Sequence, residues 1–237
     1  MRRIHIASAW PTLATGILTE VLAATPLSRT CRVALSGGET PRPWFQALAQ
    51  TPLPYARLEL FWGDERSVPP DHPDSNYGWA RRLWLDHVPI DPAQIHPWPT
   101  DRDPAEAAAL YAATLRRVFA ADEWPRFDLV VLGLGADGHT ASLFPNSPAL
   151  DAPGWTVAVA VPGHGVRLSL TLGVLAAARR VLFLVAGEAK RDAVRRTLAP
   201  LRGESPTVAA RIHAPMVDWV LDPAAAAGLP PGLADLS

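Results

Sequence analysis

The chain has 237 residues, 49% of them hydrophobic and 19% charged, with a formal net charge of -1. That length carries a sizeable core, in one large α/β domain or two smaller ones, and the composition is that of an ordinary globular protein. A near-neutral charge gives no footprint for nucleic acid, no stretch approaches the ~20 apolar residues of a membrane span, and a single cysteine, Cys31, excludes an internal disulfide.

In chain order, a strand over Ile4 to Ala9 leads into a helix over Thr12 to Ala24. Arg2 and Arg3 ahead of this apolar segment give it a superficial likeness to a signal peptide. His5, Pro11, Thr12, Thr15 and Glu20 interrupt what would have to be a continuous apolar core. A cytoplasmic, reducing setting is expected, with Cys31 a small buried residue at a strand start rather than a nucleophile. The strand Arg32 to Leu35 then runs into Ser36-Gly37-Gly38-Glu39-Thr40-Pro41 and a helix over Pro41 to Ala49. Two glycines allow tight backbone geometry, Thr40 can cap, and Pro41 suits a first helical position. Free N–H groups in such a loop can hold an anion, although the same letters also describe a plain strand-to-helix turn. Without G-K-[ST] it is not a Walker A loop.

A strand over Leu58 to Trp62 ends in Gly63-Asp64-Glu65-Arg66. Adjacent acids on extended chain point to opposite faces, so at most one of Asp64 and Glu65 faces a given pocket. Arg66 can anchor an acid or an anionic group; a solvated charged loop is the alternative. Helices over Ser75 to Asp86 and Pro104 to Ala120 follow, then a strand over Phe127 to Leu132 that delivers Asp137 and His139 through a glycine-rich turn. Short apolar runs closed by glycine are typical of strands inside parallel sheets, and ligands of open α/β sheets gather at their carboxyl ends. Histidine is the side chain whose unperturbed pKa lies near neutrality, so Asp137-Gly138-His139 is a candidate for proton transfer. Gly133, Gly135 and Gly138 also spell the dinucleotide fingerprint G-x-G-x-x-G. That motif needs a full helix behind it, which Pro145 and Pro148 forbid.

Strands over Trp155 to Val161 and Arg167 to Leu172 flank Pro162-Gly163-His164-Gly165, a spacing that predicts an antiparallel hairpin. A strand over Val181 to Val185, a helix over Glu188 to Leu198 and a strand over Val217 to Leu221 complete the chain. Arg167 and Lys190 can neutralise a phosphate unless they are ordinary solvated charges. Of the 22 basic residues Lys190 is the only lysine. The 25 prolines cluster between elements, as in Pro69-Pro70 and Pro97-Trp98-Pro99, and mark loops rather than a linker. The alternation predicts an α/β fold: a doubly wound, mainly parallel sheet with helices on both faces and a small inserted hairpin, as one domain over residues 1–237. There is no G-x-S-x-G elbow, and neither H-E-x-x-H nor paired Cys/His spacing, so no metal is expected. Trp62, Trp79 and Trp84 read as packing residues.

Several segments matter jointly: Ser36-Gly37-Gly38 with Thr40-Pro41, Gly63-Asp64-Glu65-Arg66 with Val68-Pro69, and Asp74-Ser75-Asn76. After them come Gly133-x-Gly135-x-Asp137-Gly138-His139-Thr140-Ala141-Ser142-Leu143-Phe144-Pro145, Arg167-x-x-Leu170-Thr171, Gly187-x-x-Lys190 and the terminal strand from Val217 to Asp222. In this order, over nearly the whole chain, they resemble the glucosamine-6-phosphate isomerase/6-phosphogluconolactonase family, on its 6-phosphogluconolactonase side. Glu39 departs from the pattern, standing where a small residue is common, and Gly173 to Ala176 lacks an asparagine often seen after the Leu-Thr segment.

The resemblance implies a fold related to glucosamine-6-phosphate deaminase and ribose-5-phosphate isomerase. It also implies a carboxylic ester hydrolase that opens 6-phosphoglucono-1,5-lactone to 6-phosphogluconate in the oxidative pentose phosphate pathway, without cofactor. Carried onto this chain, it places the phosphate on Ser36, Gly37, Gly38 and Thr40 with charge from Arg167 and Lys190. His139 becomes the general base, Asp64 or Asp137 the group that orients it, and Arg66 the anchor for an acid or developing charge. Backbone N–H groups between Gly135 and Gly138 become oxyanion donors. The expected partner is a small sugar-phosphate lactone, with no nucleic acid or membrane, for a monomer or small homo-oligomer. An amino-sugar-phosphate deaminase or isomerase of the same fold is the nearest alternative. Deaminases resemble Gly-His-Ile-Ala-Phe-Asn-Glu, whereas here Thr140 to Pro145 follows His139 with no acid. A non-catalytic sugar-phosphate sensor would need a DNA-binding segment for which the chain offers no basic patch.

Overall fold

Seven parallel strands form the central sheet of the computed structural model, which describes residues 1–120, 123–163 and 165–233. The elements run β1 (Arg2–Ile6), α1 (Trp10–Ala24), β2 (Cys31–Leu35), α2 (Arg42–Ala49), β3 (Leu58–Trp62) and β4 (Asp64–Arg66). They continue with α3 (Asn76–Leu83), β5 (Ile95–His96), α4 (Pro104–Phe119), β6 (Leu129–Leu132), β7 (Thr156–Val161) and β8 (Gly165–Leu170). The last are α5 (Leu172–Ala176), β9 (Arg180–Val185), α6 (Arg191–Leu198), β10 (Met216–Leu221) and α7 (Pro223–Ala226).

The central sheet has the order β1-β10-β9-β6-β2-β3-β5, and β4-β8-β7 make a small antiparallel sheet beside it. From β1 to β5 the chain steps one way across the sheet; from β5 through β6 and β9 to β10 it steps back. Parallel crossovers are right-handed, so this reversal puts α1 to α3 on one face and α4 to α6 on the other. The two directions separate between the neighbours β2 and β6. A crevice opens at the carboxyl ends of such a pair, because the loops leaving it turn to opposite faces.

Burial explains the strands. All six residues of β9 and all four of β6 are buried, as expected for strands covered on both faces. Phe183 of β9 stacks on Trp219 of β10 with ring centroids 3.9 Å apart. Cys31 opens β2 fully buried, and burial pushes its thiol up to about 11, which keeps it an unreactive packing residue. No helix among the described residues is long and apolar enough to cross a membrane.

The doubly wound reading holds, with local corrections. β1 begins and ends earlier than expected because it is an edge strand pairing Arg2 with Val217 through Ile6 with Leu221; an edge tolerates the two arginines. β8 stops at Leu170, and Leu172, expected as the last residue of that strand, opens α5 instead. A short apolar run does not distinguish the two. The hairpin exists as β7 and β8, and its β8 also pairs with β4, from Asp64↔Ser169 to Arg66↔Arg167. His164 of its turn lies outside the described residues. No helix follows Gly138 directly; a single 3-10 turn at Pro148–Asp151 is the next element, which removes the dinucleotide reading.

Candidate active site

The loops leaving β2, β3, β6 and β9 close around one cavity of about 320 Å³. From the first loop come Ser36, Gly37, Gly38, Glu39 and Thr40. Among the described residues the backbone N–H groups of Gly37 to Thr40 donate to no protein atom. They stand just before the first turn of α2, where the helix dipole favours an anion. From the β9 side Lys190 faces the same space.

β4 supplies the next wall. Pairing with β8 holds it extended, so Asp64 and Arg66 line the cavity while Glu65 turns away into the protein. The alternation anticipated from sequence is therefore seen, but the solvated-loop alternative is not: Asp64 is 8% exposed and Glu65 2%. Asp64 Oδ2 accepts from the Ser142 hydroxyl at 2.7 Å. Glu65 Oε1 accepts from the N–H groups of Arg66 (2.8 Å) and Asn76 (2.7 Å), and Oε2 from Tyr77 N–H at 2.8 Å and the Ser75 hydroxyl at 3.2 Å. Burial pushes the Glu65 carboxyl up to about 7; the three backbone donors offset this only in part, and neighbouring Asp64 adds to it.

Arg167, on β8 opposite Arg66, completes this wall. The Nε atoms of both arginines are buried with no hydrogen-bond partner among the described residues. Burial and the nearby Arg66 charge lower the Arg167 pKa. Two cations with unmet donors, facing one space, form a receptor for an anionic group.

The turn after β6 places His139 on the cavity and Asp137 behind it. Asp137 Oδ1 lies 2.6 Å from His139 Nδ1 and also accepts the His139 N–H at 3.1 Å. Burial opposes ionisation of Asp137, but these hydrogen bonds and the imidazole's charge outweigh it and hold the carboxyl below its ordinary value. The pair folds back over Gly135, where an added Cβ would overlap both the imidazole and the carboxylate. Only glycine fits there. Phe144 packs on the imidazole with centroids 4.4 Å apart.

Of the residues singled out from sequence, Ser36, Gly37, Gly38, Thr40, Asp64, Arg66, His139, Arg167 and Lys190 all line this cavity, and Asp137 reaches it through His139. Asp64 makes no hydrogen bond to the imidazole; its partners are Ser142 and Asn76. In the Gly135–Gly138 turn two of the four expected oxyanion donors are already used, which leaves those of Ala136 and Asp137. Gly135 N–H is committed to His139 O at 2.8 Å and Gly138 N–H to Gly135 O at 2.9 Å. Sequence reasoning gave no role to Asn76 or Ser142; both are polar residues inside segments already singled out, which was the available signal.

Residues 7–219 match the family described as glucosamine-6-phosphate isomerases/6-phosphogluconolactonase. A 6-phosphogluconolactonase of Synechocystis sp. is 45% identical over 204 residues, 84% of this chain and 85% of that one. The solved 6-phosphogluconolactonase from Trypanosoma cruzi superposes with a TM-score of 0.86 at 25% identity, covering 97% of each chain. A monomeric glucosamine-6-phosphate deaminase shares the fold alone, with a TM-score of 0.81 at 17% identity over 96% of this chain and all of that one. With the match running from the end of β1 into β10, the chain belongs to the glucosamine-6-phosphate isomerase/6-phosphogluconolactonase family.

Proposed function

We propose that this chain hydrolyses 6-phospho-D-glucono-1,5-lactone to 6-phospho-D-gluconate. The single observation that carries the reading is that the loop from Ser36 to Thr40, with its free N–H groups, and the imidazole of His139 line one cavity. A ligand with an anion at one end and a reactive carbonyl at the other fits that pairing. A relative named 6-phosphogluconolactonase, 45% identical over 84% of the chain, supports it.

In the mechanism we infer, the loop and Lys190 hold the phosphate, with Arg167 adding charge. Asp137 takes the proton on Nδ1 as its hydrogen-bond donor and so leaves Nε2 of His139 as the base. Nε2 removes a proton from water as the oxygen attacks C1. The tetrahedral intermediate then expels the ring oxygen, which takes that proton back and becomes the C5 hydroxyl. The carboxylic acid product ionises to the carboxylate. Arg66 faces the developing charge, and Asp64, fixed by Ser142, presents an acceptor to a sugar hydroxyl. A positioned base of this kind contributes about 10²–10⁴-fold.

One contiguous hydrophobic cluster from Ile4 to Ala226 supports treating residues 1–237 as one domain. The near-neutral charge and buried Cys31 support a small-molecule partner and a reducing, cytoplasmic setting, with the chain acting as a monomer or small homo-oligomer. The test is a coupled assay in which fresh lactone is generated from glucose 6-phosphate and its disappearance timed with and without the protein. Faster opening than the spontaneous rate is expected. Ammonia release from glucosamine 6-phosphate, with no effect on the lactone, would move the chain to the deaminase branch.

A further inference from the structure

Two walls of the cavity meet at one side chain. Asn76, the first residue of α3, donates from Nδ2 to the backbone oxygen of Asp64 at 2.8 Å and lies 3.4 Å from its Oδ1. Its Oδ1 accepts from Arg66 Nη1. The same carboxamide lies on Gly37, where an added Cβ would overlap it. Gly37 is not among the residues with positive φ, so its backbone suits any side chain. The neighbour that requires glycine there is Asn76.

Asn76 is in turn fixed from below. Glu65 accepts the N–H groups of Asn76 and Tyr77, the first two of α3, and so pins that turn onto β4. Ser75 caps the same turn, accepting Gly78 N–H at 3.0 Å. An amide suits the position because one end must donate to the Asp64 carbonyl while the other accepts from Arg66. A carboxylate would bring a second acceptor to Asp64, and alanine would bring nothing.

We propose that Asn76, pinned by Glu65, is a positioning residue that fixes the anion loop at Gly37 against Asp64 and Arg66. It thereby holds the two ends of the substrate in register with the groups that act on them. This inference rests on the lactonase reading, since it assigns those two ends. Misplacement of reacting groups by about 1 Å costs on the order of 10²-fold in rate.

The test is a double-mutant cycle of wild type, Asn76→Ala, Gly37→Ala and the pair, with kcat, KM and melting temperature measured on each. Asn76→Ala is expected to lower kcat about 10²-fold, with a smaller change in KM, while the protein stays folded. Gly37→Ala is expected to lose activity as well. The double variant loses little more than either single change, because removing Asn76 makes room for the new methyl group. Asn76→Asp, which keeps the shape, is expected to behave like Asn76→Ala and guards against a variant that merely unfolds. Additive losses at 37 and 76, or normal kcat in Asn76→Asp, overturn the proposal alone. A wild type without lactonase activity overturns the reading beneath it.

Discussion

Asp218 and Glu65 are buried to almost the same degree, 0% and 2% exposed, and are stabilised in opposite ways. Toward the amino ends of the strands, carboxylates meet cations. Arg180 Nε lies 2.6 Å from Asp218, and Arg29 grips Asp128 through two bonds of 2.6 and 2.7 Å. Toward the carboxyl ends, Glu65 is held by neutral N–H and hydroxyl donors, while Arg66 and Arg167 keep buried Nε atoms with no partner among the described residues. Each unmet buried donor costs about 1–3 kcal/mol. At the amino ends Arg29 and Arg180 are paired with carboxylates of the protein itself, although Arg57 there also keeps a buried Nε with no partner among the described residues. At the carboxyl ends Arg66 and Arg167 face the cavity with no carboxylate bound to them among the described residues.

The comparison breaks most sharply at the imidazole. His139→Ala is expected to lower kcat by about 10²–10⁴-fold with the melting temperature unchanged; near-normal turnover would remove His139 from the mechanism. Asp218→Ala is the mirror experiment. It takes the Nε partner from Arg180, which keeps only the exposed Glu20, and is expected to cost about 3 kcal/mol in urea unfolding, with kcat/KM of the folded enzyme unchanged. A stable Asp218→Ala protein would mean that the amino-end pairs are ornamental.

Glu65 sharpens the contrast through pH. Its carboxyl lies above the usual 4.5, at about 7, so the folded state holds the proton more tightly than the unfolded chain does. The stability this contributes is complete below about pH 4.5 and is lost as pH rises to about 7, a fall of about 3 kcal/mol. Unfolding measured across that window should show the decline, and Glu65→Gln should flatten it. Stability that instead rose between those pH values in wild type but not in Glu65→Gln would show that the N–H donors outweigh burial.

Legibility in the sequence followed the range of the interactions. β3 at Leu58–Trp62 is bounded as its apolar run predicts, and the β2 and β6 loops stand where glycine closes a strand. These signals are local. β4 could not be told from a charged loop because its stability comes from pairing with β8, about a hundred residues further along the chain. Leu172 looked like the end of a strand because a short apolar run carries no period. At the site, residue types and loop positions were legible, whereas pairings were not. Asp64 and Asp137 were equal candidates to orient His139 until the turn placed Asp137 2.6 Å away. Asn76 had a place in a motif but no role, since its partners come from elsewhere in the chain, Gly37 from the β2 loop and Arg66 from β4.

The scarcity of lysine has a chemical consequence. Lys190 carries the only side-chain amine in the chain, and it faces the cavity half-buried. Amine-directed reagents thus meet a single side-chain target, and it lies in the cavity. Acylation there would be blocked by an occupying phosphate, which turns a compositional accident into a built-in reporter of occupancy.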